Sequence, residues 1–201
     1  GAGIGDYTGA GAAIGATGAA IETTAAILDL TTQFNTGTSG AIWIDDKDTG
    51  TTLLDAKTNG GSTVTAGLIN ITSAAALSIG SVNAVGSTGL GNVTLVTTKN
   101  SGVIDEAVND DAVKISGAVV TLTADGNIGA TGDANAYLDV SATTLDVTTT
   151  VNDATTAGGI FLSQKTDQAT ILNVDVTDTT TVGNIFITSV GDLTVGTVIS
   201  G

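Results

Sequence analysis

A side chain that trades protons near neutrality is the usual start of enzyme chemistry, and this chain has few. Its 201 residues include no His, Cys or Arg, so there is neither an imidazole base nor a thiolate nucleophile. The five lysines, Lys47, Lys57, Lys99, Lys114 and Lys165, are scattered along the sequence. Eighteen Asp and two Glu allow carboxylate pairs on paper, as glycoside hydrolysis needs. Asp beside short apolar runs, however, is mostly turn chemistry. We therefore expect no enzyme, and keep a β-helical polysaccharide-degrading activity as the last of three readings.

Calcium is the cofactor the residues suit best. "DDKDTG" at 45–50 puts Asp45, Asp46 and Asp48 in one loop with Gly50, and Ca²⁺ takes several oxygen ligands from such loops. The order is not that of an EF-hand, and the closing Glu is missing. "GAGIGDYTG" at the start does not match the glycine-rich calcium nonapeptide either, and the loop equivalent to 45–50 further on reads "SQKTDQ". A solvated acidic turn is the alternative. The net charge of −15 speaks against nucleic acid, since phosphate neutralisation needs a basic surface.

Three aromatic residues mark a possible contact surface. In "IWI", "IFL" and "IFI", alternation turns the flanking aliphatics inward and Trp43, Phe161 and Phe186 outward. Asn70, Thr94, Lys114 and Asp139 hold the same outward place in other strands. Such a strip suits another copy, the rest of a longer chain or a glycan; otherwise a loop folds over it or the register is inverted.

The elements that carry these residues are short and repeated. "IGATG" stands at 14–18 and again at 128–132. Beyond it, Leu28 aligns with Leu145, Ile42 with Ile160, Ile69 with Ile185 and Leu77 with Leu193, at offsets of 117, 118, 116 and 116. The chain thus divides into a first long unit, 14–127, and a truncated second one, 128–201, within a single segment 1–201. IGATG lacks the Lys and spacing of a phosphate loop; its Ile reads as inward and the rest as a corner.

Within the unit, apolar strands of three to five residues fall into two alternating series. One starts at Ile21, Ile42, Ile69, Val93, Val113, Leu138, Ile160 and Ile185. The other starts at Leu28, Leu53, Leu77, Val103, Val120, Leu145, Ile171 and Leu193. This predicts an all-β fold, a right-handed parallel β-helix of about eight turns of 23–24 residues, with no obvious caps. Its core columns would be Ile42, Ile69, Val93, Leu138, Ile160 and Ile185 on one side. Leu28, Leu53, Leu77, Leu145 and Leu193 would form the other. A β-sandwich also has short strands but gives no reason for the nested period. Thr-x-Thr does not recur at one strand position, so an ice-binding face is not expected. Apolar runs of two to six residues are too short to span a membrane as helix or barrel strand.

The phrases "VTLTADGNIGATG" (120–132), "GNVTLVT" (91–97) and "GDLTVGTVISG" (191–201) resemble the shaft repeats of filamentous haemagglutinin-type bacterial exoproteins. The resemblance covers essentially the whole chain. It implies a β-helix, an extracellular or cell-surface location and a structural or adhesive role. That family's secretion domain carries Asn-Pro-Asn-Gly, whereas this chain has no Pro. The start at Gly1, without a leader, suggests a processed product or part of something longer. We expect a building block of an extracellular filament, sheath or shaft, stacking end to end with other copies or continuing in a longer chain. An adhesin that binds glycans or receptors through an exposed face is the second reading.

Overall fold

The computed structural model describes residues 13–132, 134–151, 158–167, 170–178 and 183–200. Val, Ile and Thr in strict alternation make strands, with β-branched side chains suiting a pleated surface. In the first half, β1 (Ile21–Thr23), β3 (Ile42–Asp46), β5 (Ile69–Ser73) and β7 (Val93–Thr97) stack in one column. β2 (Ile27–Thr38), β4 (Thr51–Thr65), β6 (Ala76–Asn83) and β8 (Ile104–Glu106) stack in another. The long strands β9 (Ile115–Ala124) and β10 (Leu138–Val151) then serve both columns. β12 (Thr170–Asp178) and β14 (Leu193–Ser200) extend the first column; β11 (Ile160–Gln164) and β13 (Ile185–Ser189) extend the second. Every pairing between these described strands is parallel. The chain is a β-solenoid, and its one described helical element is a 3₁₀ turn at Ala134–Ala136.

Cα partners trace the first column through Ile42, Ile69, Val93, Val120, Leu145, Leu172 and Val195. Those 153 residues make six turns, 25.5 residues each, so the turns are longer and fewer than the sequence suggested. The two expected series also exchange columns halfway. Val93 stacks on Val120, not on Val113. The reason is an excursion from the strand path at 107–114. Residues 104–106 and 115–116 both pair with β6, at 77–79 and 82–83, and so belong to one rung. Val113 sits in the excursion, 40% exposed, while Ile104 and Ile115 are buried. Counting Val103 and Val113 as separate strands adds half a turn that the chain does not make.

The core is a stack of Ile, Leu and Val in which each rung seals the one before. Burying each such side chain stabilises by about 1.5–3 kcal/mol. Of the expected core residues, Leu28, Ile42, Ile69, Leu77, Val93, Leu138, Leu145 and Ile160 are buried. Ile185 and Leu193 are half-buried and pack against the core. Leu53 is misplaced: in β4 the inward residues are Thr52, Leu54, Ala56 and Thr58, and Leu53 faces the other way.

Both IGATG copies build the same device. Ile14 bridges Ile42 and Ile128 bridges Ile160, each in parallel. The N–H of Trp43 donates to the Ile14 carbonyl at 2.7 Å, and that of Phe161 to the Ile128 carbonyl at 2.8 Å. Gly15 and Gly129 then turn with φ of 73° and 74°, and a Cβ on either would strike the carbonyl oxygen of Trp43 or Phe161. The chain leaves the rung there and rejoins it at Ile21, opposite Ile44, and at Leu138, opposite Leu162. The phrase is thus the mouth of an excursion within a rung, not the corner between two.

Candidate functional site

The excursion at 107–114 folds over the outer side of the second column and closes a charged cluster. β8 ends at Glu106, and the chain returns through Lys114, whose N–H donates to the Asp139 carbonyl at 2.9 Å. Lys114 Nζ lies 2.9 Å from Asp110 Oδ1 and 4.0 Å from Glu106 Oε2. Two rungs on, Lys165 Nζ lies 3.2 Å from both Asp111 Oδ1 and Asp139 Oδ1. Two of the five lysines thus meet four carboxylates, and the cluster spans three successive rungs.

Burial dominates the electrostatics. It pushes the Glu106 carboxyl up to about 7 against the pull of Lys114, with the charges of Asp139, Asp105 and Asp110 adding to it. Asp139 is raised as well, burial outweighing the favourable contacts from Lys165 and Ser163. Burial likewise raises Asp105. Asp110 is lowered, mainly by its hydrogen bond from Lys114 and then by one from the Ala112 N–H. Lys165 stands above the ordinary lysine value: burial opposes this, but Asp111 and Asp139 prevail. No oxygen of Glu106 or Asp139 takes part in a well-formed hydrogen bond, an arrangement that costs free energy in a dry site.

The sequence placed Lys114 and Asp139 at outward strand positions. They do point away from the core, but the excursion covers them and both are buried. Nothing local announces this, because Asp111 and Lys165 are 54 residues apart and meet only through stacked rungs.

The aromatic strip is also covered in part. Phe161 and Phe186 stack at 5.7 Å between ring centroids, and Tyr137 lies 6.2 Å from Phe161 on the other side. Phe161 is only 3% exposed, which removes it as an outward contact: the loop leading into Leu138 brings Tyr137 against it. Phe186 is 50% exposed and Trp43 is half-buried. The three do not form one open surface.

Asp45, Asp46 and Asp48 do not converge. Asp46 points inward and is buried; its Oδ2 accepts from Thr52 Oγ1 at 2.8 Å and Ser73 Oγ at 2.9 Å, which ties three strands together. Asp45 faces outward and pairs with Lys47, and the Asp48 N–H donates to Asp46 Oδ1. Among the described residues no three acidic side chains are grouped to hold a metal ion. The glycine-rich stretch 1–9 lies outside the described residues.

A polar ladder recurs in both units. Asp29 stands opposite Asp55, and a bulge at Gly80 follows on the next rung. In the second unit Asp146 stands opposite Asn173, followed by a bulge at Gly196. There Asn173 Nδ2 donates to Asp146 Oδ1 at 2.7 Å, beside an open groove of about 250 Å³ that also involves Thr148, Asp175, Thr197 and Ile199.

Among the described residues no helix is long and apolar enough to cross a membrane. Comparison of the chain with protein-family models, with curated proteins and with solved structures finds no match in any of the three.

Proposed function

We propose that this chain is a structural element of an extracellular filament, sheath or cell-surface shaft, lengthened by rungs that stack on its ends. One observation carries the reading. Val195 and Val198 continue the core column of Leu172 and Val174, yet they are 56% and 49% exposed, whereas Leu172 and Val174 are buried. The outer edges of β13 and β14 have no paired strand among the described residues, and such edges are templates for further pairing. A further rung, from another copy or from more of a longer chain, would bury those valines. The repeat texture, which resembles exoprotein shafts, supports the same reading, and a net charge of −15 keeps an apolar stack soluble along its sides.

Sedimentation velocity tests this. The chain is expected to associate with rising concentration, and Val195→Lys with Val198→Lys to abolish association while the circular dichroism stays that of β structure. A wild-type chain that stays monomeric throughout would refute the reading.

A further inference from the structure

From the charged cluster we infer that Lys165 and Asp139 are the two halves of an intramolecular isopeptide bond that ties β11 to β10. Three observations place the reaction there. Lys165 Nζ stands 3.2 Å from Asp139 Oδ1, which holds the nitrogen beside the carboxyl group it would attack. The Asp139 side chain is 1% exposed, and neither of its oxygens is in a well-formed hydrogen bond. A carboxylate held so is destabilised in its charged form, and converting it to an amide removes the buried charge.

The bond forms by condensation. The Lys165 ammonium passes one proton to Asp139 Oδ1, 3.2 Å away, and the free amine attacks Asp139 Cγ. A second proton then moves from the nitrogen to that hydroxyl, the C–O bond breaks and water leaves. An ammonium and a carboxylate become one amide and one water, with no oxidant, reductant or co-reactant. Lys165 keeps partial contact with solvent, its side chain 21% exposed, so water has a way out. Asp111 holds Lys165 as the ammonium and so restrains the reaction. The chain has no Cys, and this bond would give a mechanical element a covalent tie between rungs without one.

Intact mass spectrometry of the full chain under denaturing conditions is the test. The wild type is expected to be one water lighter than its sequence mass, with a branched proteolytic fragment joining the Asp139 and Lys165 peptides. Asp139→Asn should lose ammonia instead and arrive at the wild-type product mass. Asp111→Asn should close faster on incubation than wild type. Lys165→Arg, which keeps the charge, should retain the full mass. Wild-type and Asp139→Asn chains that both keep their full sequence masses after prolonged incubation would overturn the proposal, whatever the other variants do.

Discussion

Ile42 and Ile160 occupy equivalent places in the duplicated sequence, yet they stand in different columns of the solenoid. Ile42 lies in the column that runs on to Ile69 and Val93, whereas Ile160 pairs with Ile185 in the column of β11 and β13. Nine half-turns separate them, so the unit of about 116 residues spans four and a half turns. The short strands of the first unit, β3 and β5, are therefore continued upward by the long strands of the second, β10, β12 and β14. A unit with a half-integral turn count puts its second copy on the opposite side of the coil. Any outward feature repeated in both copies then appears on two faces rather than in one row.

That arrangement can be checked with cysteines in a chain that has none. Thr94 and Thr121 are register partners on adjacent strands, whereas an unbroken two-series pattern would set Thr94 opposite Lys114. Adjacent strands are about 4.8 Å apart, within reach of a disulfide. Thr94→Cys with Thr121→Cys is expected to oxidise readily and Thr94→Cys with Lys114→Cys not to; non-reducing electrophoresis after mild oxidation reads the difference.

Gly15 and Gly129 allow a second check. Each turns at positive φ against the carbonyl oxygen of the next rung. Alanine at Gly129 is expected to cost about 2 kcal/mol or more, because the turn and the collision add. Gly15→Ala should cost less, since the first excursion closes on a rung with a single described neighbour. Urea unfolding measures both, and a Gly129→Ala change within about 0.5 kcal/mol of wild type would remove the role assigned to the phrase.

The two polar ladders differ by one atom type. Asp55 opposes Asp29 where Asn173 opposes Asp146, and like charges set directly opposite destabilise a strand pair. Asp55→Asn should install the hydrogen bond seen from Asn173 and raise stability by about 0.5–1 kcal/mol. Asn173→Asp should lower stability by a similar amount, less so at high salt. Equal effects at low and high ionic strength would contradict the electrostatic account.

Glu106 makes stability depend on pH. Its folded value is about 7 against an ordinary value of 4.5, chiefly through burial. Below 4.5 it is protonated folded or unfolded, and its contribution is fully present. Between 4.5 and 7 the unfolded chain releases the proton while the folded chain keeps it, so the contribution drains away as pH rises. Going from pH 5 to pH 8 should lower the stability of the wild type relative to Glu106→Gln by on the order of 2 kcal/mol. Parallel pH profiles for the two chains would show that Glu106 is not held in this way.

Much of the fold could be read from residues alone, and the failures have physical causes. Ile69, Val93 and Ile160 announce themselves because alternation between Gly or Asn corners leaves one choice of inward face. In "TTLLDAKT" two adjacent leucines compete, and Leu54 wins because Thr52 must also face inward to meet the Asp46 carboxylate. Val113 and Ile115 are equally plausible until the excursion is seen, since both carry the alternation that defines a strand. The charged cluster was not legible at all, because strand alternation separates inward from outward but does not say which outward residues a loop will cover. For the same reason Trp43, Phe161 and Phe186 shared a pattern yet met three different environments.

The proposed mechanical role rests on the unsealed column at Val195 and Val198, and imaging assembled material by electron microscopy tests it most directly. We expect rods many times longer than one chain, with strands across the axis and an axial spacing near 4.8 Å, and no rods from the Val195→Lys, Val198→Lys chain. Wild-type particles no longer than a single solenoid at high concentration, or rods that form equally well from the double variant, would contradict the account.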